Sequence, residues 1–402
     1  MNIELRDIKN AAQRLKPILH HTELDLSSTF SSMTGGSIYL KCENRQKTGS
    51  FKIRGASNKI ASLVEQGQLQ SVVASSAGNH AQGVAYAAKK FGIPATIVMP
   101  ESAPIAKVQA TEGYGAKVVL SGACYDDAYT KAREICDSEG ATFLHPYNDV
   151  DVIAGQGTLG IEMLGDLPTV DIILVPAGGG GLLAGVAAAV KQLNPRVKVY
   201  GVQAEGANAI ARSFREKRLV TTETASTIAD GIAVKRPGDL TFQLCREYVD
   251  EIVTVREDEI ASAILALMEV QKTVAEGAGA TPVAACMFKK LDTTAGKTVC
   301  VVSGGNVDVT TLSRIITKGL TKSGRITEIT TKVADKPGNL IQVLQVVSEC
   351  GANIISVNHE REAKDSDVGA CLVTMVLETR NQDHVDQIKK ALEVKGYSLL
   401  EK

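Results

Sequence analysis

The chain has 402 residues, of which 44% are apolar, and a formal net charge of −1. That length calls for two or three folding units with large buried cores and excludes a chain too polar to fold. The near-zero charge argues against a basic nucleic-acid footprint.

Residues 1–15, MNIELRDIKNAAQRL, read as an amphipathic helix without the long apolar core of a signal peptide. No apolar run is long enough to span a membrane, and the best candidate, GLLAGVAAAV, ends at Lys191. Cys42, Cys124, Cys136, Cys245, Cys286, Cys300, Cys350 and Cys371 lack paired metal-ligand spacing. They read as reduced thiols, mostly packing residues, in a cytoplasmic enzyme.

From about residue 38 to residue 320, short apolar runs alternate with helical patterns. Strands are predicted at 37–40, 71–74, 96–99, 117–120, 171–175, 197–202 and 298–302. Helical spacing fills 79–91, 103–114 and 182–193. This alternation implies an α/β fold of parallel sheets covered by helices on both faces. Ligands in such folds sit at the carboxyl ends of strands.

Four loops fall at such ends. KTGSFKIRGA follows the first strand and carries Lys52 beside Phe51 and Ile53. Burial there would favour a neutral amine able to attack an aldehyde, while most lysines are solvated surface residues. In SSAGNHAQG, Ser76, Asn79 and the amides opening a helix suit a carboxylate. Simple N-capping explains Ser76 and Asn79 equally well, and His80 is either a base or a structural histidine. PAGGGGLLAG follows a strand and opens a helix, and its four consecutive glycines let backbone N–H groups approach a phosphate. It has neither dinucleotide spacing nor a P-loop lysine, and a tight turn is the alternative reading. The loop carries no Lys or Arg, so a phosphate there would be held by backbone dipoles. VVSGGN ends the last strand of this region, where Ser303 could meet a ring nitrogen or simply form another turn.

After Ser323 and Gly324 the pattern changes. It reads strand 326–333, turn 335–338, helix 339–350, strand 352–359, strand 368–378, helix 382–395 and strand 397–400. This is the β-α-β-β-α-β, ferredoxin-like plan, with Leu340, Val343, Leu344 and Val347 on one apolar helix face. The order and the DKPGNL turn resemble an ACT domain, a module that binds small metabolites. A dimerisation module without a ligand is the alternative.

SFKIRGA, SSAGNHAQG, PAGGGGLLAG and SGGN, in this order, closely resemble the threonine/serine dehydratases that use pyridoxal 5'-phosphate, of the tryptophan-synthase β-like fold, fold type II. The resemblance covers residues 1–322 as a catalytic domain, with a smaller subdomain at about 50–150, and 326–402 follow as an ACT-like regulatory domain. It implies a threonine ammonia-lyase converting L-threonine to 2-oxobutanoate and ammonia, and L-serine to pyruvate. By the resemblance, Lys52 is the Schiff-base lysine and α-proton base, and Phe51 packs near the cofactor. Asn79 meets the ring hydroxyl, Gly178, Gly179, Gly180, Gly181 and Leu182 cradle the phosphate, and Ser303 faces the pyridine nitrogen. Ser76, Asn79 and His80 lie around the substrate carboxylate.

Serine racemase is the nearest rival. The resemblance places a serine that acts from the opposite face of the cofactor where this chain has Ala77, and a methyl group donates no proton. Glu205 matches the racemase cation segment, but Ala211 stands where that pattern has an acid, so no metal is expected. A non-catalytic metabolite sensor is the reading from another class, and the intact Lys52 speaks against it. The tail implies an amino-acid effector such as isoleucine, or a nucleotide, and a homodimer or homotetramer.

Overall fold

The computed structural model describes residues 3–67, 69–294, 296–361 and 369–400. Position 368, where the sequence predicts a strand to begin, lies outside them, as do residues 1 and 2 of the predicted first helix. The chain forms two compact units, Met1–Val307 and Asp308–Lys402.

The first unit holds two sheets. The larger has the order Leu24–Leu26, Ser37–Cys42, Lys297–Val302, Ile172–Pro176, Lys198–Ala204, Glu251–Val255. Only the first pair is antiparallel. The smaller sheet is parallel throughout, in the order Lys117–Leu120, Ala95–Met99, Val72–Ser75, Thr142–Phe143. The predicted strands are therefore present, with ends shifted by up to two residues. Leu24–Leu26 and Thr142–Phe143 escaped the sequence reading because runs of three and two residues carry no period. Glu251–Val255 did carry an alternating β-branched signal and was overlooked.

The helices are built from the same rules. Leu5–Leu15 opens on a capping box between Glu4 and Asp7 and buries Ile8, Ala11 and Leu15 on one face. Val150–Asp166 opens on Asp149, whose carboxylate accepts from the amides of Asp151 and Val152. This helix crosses Gly181–Leu193 so closely that a Cβ at Gly185 would lie 2.4 Å from the Ile153 carbonyl oxygen. Their contact, with the faces of Ile172–Pro176 and Lys198–Ala204, makes the main apolar core.

The helix Lys52–Glu65 is anchored by buried charge. Arg54 is fully buried and donates to both oxygens of Glu43, at 2.7 and 2.8 Å, and to both of Glu162, at 2.6 and 2.9 Å. Lys41, also fully buried, completes the cluster with Glu162 and Asp166, both at 3.1 Å, and the Thr22 carbonyl at 2.7 Å.

The second unit contains the helix Val309–Lys322 and an antiparallel sheet in the order Asn353–Glu360, Ala370–Glu378, Ile326–Ala334, Ser398–Leu400. Helices Asn339–Glu349 and Gln382–Val394 connect the strands in the predicted order. Val343 and Val347 are fully buried against Val373, Met375 and Leu377, and Leu340 and Leu344 pack at the margin. None of the described helices is long and apolar enough to cross a membrane.

Candidate active site

The four loops lie at the carboxyl ends of strands, and Asn306 ties three of them together. The pairing starts from Lys297–Val302. Directly beyond it, Phe51 donates its amide to the Ser303 carbonyl at 3.0 Å, Ser50 bridges Gly304, and Gly305 donates to Gly49 at 2.9 Å. The lysine loop and the SGGN loop thus run side by side. Lys52 is the first residue of the helix that follows, so its side chain leaves from the loop end of the helix.

Lys52 is half-buried. Its Nζ donates to the Pro146 carbonyl at 3.0 Å and lies 5.3 Å from the centre of the Phe51 ring. Burial pulls its ammonium down to about 8, and the charge of Glu276 opposes that shift. The sequence allowed a solvated surface lysine at this position, and the structure removes that alternative.

Asn79 and Ser76 are not N-caps here. The helix Asn79–Phe91 begins after Gly78, with no side-chain cap, and Ser76 Oγ accepts from the Gly78 amide at 3.2 Å. Asn79 instead belongs to a chain of polar contacts. Asn306 Nδ2 donates to Asn79 Oδ1 and to the Thr48 carbonyl, both at 2.8 Å. Asn79 Nδ2 donates to the two carboxylate oxygens of Glu276 at 2.8 and 2.9 Å. His80 is buried, and its Nε2 is bonded to the Leu144 carbonyl at 2.9 Å. Burial and the nearby Lys52 hold its imidazole down to about 3. Its side chain is therefore a neutral structural group. The backbone amides of Asn79, His80 and Ala81 open the helix and have no acceptor within it, which leaves them available to an anion.

The glycine loop runs from Pro176 into the helix Gly181–Leu193, and Gly178 to Leu182 are all buried. Gly180 has φ +94°, a left-handed conformation. A Cβ at Gly179 would lie 2.5 Å from the Tyr147 ring, and one at Gly181 2.8 Å from Tyr147 Cβ. The loop carbonyl is fixed from below, because Thr241 Oγ1 donates to the Gly179 oxygen at 2.6 Å. The result is a bare backbone cradle at a helix N-terminus.

Ser303 completes the set. It is buried, and its Oγ has no hydrogen-bond partner. A buried hydroxyl left alone costs free energy unless something else satisfies it. The site therefore offers an amine that is partly neutral at pH 7–8, an anion cradle, a second set of helix amides and an orphan hydroxyl. That constellation suits a small phosphorylated aldehyde with a ring nitrogen.

Sequence reading missed Glu276. It precedes the helix Gly277–Met287, where an acid before a run of small residues looks like an ordinary helix start. It is buried, and burial followed by the charge of Asp230 pushes its carboxyl up to about 7. Glu205 belongs to none of the groups of three metal-ligating side chains found among the described residues. Such a group, Asp335, His359 and Cys371, lies in the second unit, where Arg361 is paired with Asp335 at 3.1 Å.

Residues 15–305 match the family model described as pyridoxal-phosphate dependent enzyme. The chain is 54% identical, over 397 residues and 99% of both chains, to the L-threonine ammonia-lyase of Thermotoga maritima. Among solved structures it resembles the processed form of threonine deaminase isoform 2 from Solanum lycopersicum, with a TM-score of 0.74 and 36% identity over 78% of this chain and 86% of that one. It also resembles maize serine racemase, with a TM-score of 0.75 and 37% identity over 80% and 99%.

Proposed function

The chain belongs to the family of pyridoxal-phosphate dependent enzymes, and on that premise we propose that it is a threonine ammonia-lyase with a regulatory C-terminal unit. Its fold is the tryptophan-synthase β-like, type II fold with a C-terminal antiparallel sheet. The observation that carries the reaction is the 54% identity to a threonine ammonia-lyase along 99% of both chains, second unit included.

When bound, pyridoxal phosphate supplies an aldehyde that joins to an amine and a ring that draws electrons from the adjoining carbon. The buried orphan Oγ of Ser303 and the glycine cradle fit its ring nitrogen and its phosphate. Lys52 would hold its aldehyde carbon, and Phe51 would pack beside it. The amides of Gly178 to Leu182 would bind the phosphate without a cationic side chain.

The amino-acid carboxylate would bind the amides opening Asn79–Phe91, with Ser76 beside them. Once the substrate amine has replaced it on the aldehyde carbon, Lys52 Nζ, partly neutral near pH 7–8, would take the α-proton of the substrate. Ser303 would offer the ring nitrogen a hydroxyl rather than an acid, which makes the ring a weaker electron sink and suits loss of the β-hydroxyl. Loss of water leaves an enamine, which becomes an imine and is hydrolysed to 2-oxobutanoate and ammonia. L-Serine gives pyruvate by the same steps. Ala77 carries no proton to return from the opposite face, which supports elimination over racemisation.

The experiment is product analysis with L-serine as substrate. Pyruvate well in excess of D-serine is the expected result, and D-serine in excess would move the assignment to racemase. The cradle has its own test. Gly180→Ala puts a side chain on a left-handed residue, at about 1–2 kcal/mol, and its Cβ would lie 2.9 Å from Thr241 and Ile210. Titration of the apoenzyme with pyridoxal phosphate is expected to show affinity weakened by roughly 5- to 30-fold. Unchanged affinity would place the phosphate elsewhere.

The C-terminal unit supports the ACT reading by its β-α-β-β-α-β order and its sheet order. Its effector would be an amino acid such as isoleucine or a nucleotide. The outer strand Asn353–Glu360 exposes Ile355 and Val357 at a sheet edge, which supports a homodimer or homotetramer. We place the enzyme in the cytoplasm.

A further inference from the structure

We propose that Glu276 is the buried counter-charge of Lys52: its carboxylate balances the ammonium formed when Lys52 takes the substrate α-proton, and the same carboxylate fixes Asn79. The inference rests on the lysine being the base of the proposed reaction.

The geometry sets Glu276 apart from an ordinary helix start. Although it occupies the N-cap position of Gly277–Met287, its side chain makes no cap hydrogen bond. The carboxylate is turned instead toward the site, where both oxygens accept from Asn79 Nδ2. Its backbone amide donates to the Gly304 carbonyl at 3.0 Å, next to Ser303. The space around it is tight, since a Cβ at Gly304 would come within 2.6 Å of Glu276 Oε1 and one at Gly231 within 3.2 Å. A buried carboxylate held chiefly by a neutral amide is costly unless a positive charge is near.

Lys52 is such a charge, and it is a variable one. The position of a Cβ at Gly304, 2.6 Å from Glu276 Oε1, is also 3.1 Å from Ser50 Cβ, two residues before the lysine. The groups that act on Glu276 come from four elements. Asp230, from the turn Asp230–Ile232, raises its pKa, whereas Asn79, Lys107 and Lys52, from three helices, lower it. Lys107 is itself engaged by Asp230 at 3.0 Å. His80 and His145, which also feel the charge of Lys52, are held down to about 3 and about 4 by burial first and Lys52 second. Both stay neutral and cannot supply a compensating charge. With Glu276 pushed up to about 7 and Lys52 pulled down to about 8, each group exchanges its proton close to neutral pH. A lysine that must accept a proton and return to a neutral amine in each turnover works best with a pKa in that range. Glu276 is a positioning residue in this scheme, acting through Lys52 and Asn79.

A nearby anion raises the pKa of an ammonium, so removing it lowers that pKa further. Apoenzyme of the wild type, Glu276→Gln and Glu276→Asp would be mixed with pyridoxal phosphate between pH 6 and 9, and the rate of covalent uptake followed by absorbance. Uptake requires the neutral amine. The expected midpoint is near 8 for the wild type, clearly lower for Glu276→Gln, and close to wild type for Glu276→Asp. In turnover of L-threonine, Glu276→Gln should lose about tenfold or more in kcat, within the range of acid–base effects, with a smaller change in KM. The rise of kcat/KM through about pH 7 should vanish in Glu276→Gln and persist in Glu276→Asp. An unmoved uptake midpoint in folded Glu276→Gln overturns the counter-charge whether or not the wild type consumes threonine. If Glu276→Gln does not fold, a wild-type kcat/KM with no rise near pH 7 overturns it equally. A shifted midpoint in a protein that releases no keto acid would instead retain the counter-charge and reject the reaction.

Discussion

Lys52→Ala is expected to lower keto-acid release from L-threonine by about 10³-fold or more. The substitution removes a general base, which alone contributes roughly 10²–10⁴-fold, together with the nucleophile that captures the cofactor aldehyde. The fold should survive. The lysine head makes one hydrogen bond, to the Pro146 carbonyl, while the backbone pairing of Phe51 with Ser303 and of Ser50 with Gly304 does not involve it. Lys52→Arg should be as inactive, because a guanidinium is never deprotonated in a protein. Steady-state kinetics beside near-ultraviolet circular dichroism separates lost chemistry from lost structure. A folded Lys52→Ala protein within tenfold of wild-type kcat would remove this lysine from the reaction.

Arg54→Ala is expected to be the most destabilising of the simple truncations near the site, by about 3–5 kcal/mol, because it leaves buried charge without a partner. Glu43, whose side chain is fully buried, would keep only the 2.6 Å hydrogen bond from Thr22 Oγ1. Glu162 would keep Lys41 at 3.1 Å. At roughly 2 °C per kcal/mol for a unit of this size, the melting temperature should fall by about 6–10 °C. Arg45→Ala is the control. Its partners are the exposed Glu23 and the partly exposed Asp25, so the change should stay within about 0.5 kcal/mol. Equal effects of the two truncations would mean that the buried cluster does not anchor the helix that begins at Lys52.

How far these features were legible depends on whether they are local. The glycine run and the terminal SGGN loop each follow a Val/Ile-rich strand, the lysine loop follows Ser37–Cys42 in the same sheet, and strand-end loops of a parallel sheet have one place to go. Their convergence could be read before any coordinates. The roles of single residues could not. Whether Asn79 capped its helix or faced a ligand turned on Asn306 and Glu276, 227 and 197 residues away. His80 stayed ambiguous until its imidazole was found bonded to the Leu144 carbonyl. Arg54 sits inside a motif read for its lysine, and its pairing with Glu162 spans 108 residues. Periodicity reports which face of an element is buried but not which buried charges meet, and Leu24–Leu26 and Thr142–Phe143 are too short to show a period at all.

The most direct measurement is the stoichiometry of products formed from L-threonine by the purified enzyme loaded with pyridoxal phosphate. The expected result is 2-oxobutanoate and ammonia released one for one, at a rate matching threonine loss. Loaded enzyme that leaves L-threonine unconsumed, or consumes it without releasing ammonia, would contradict the assignment.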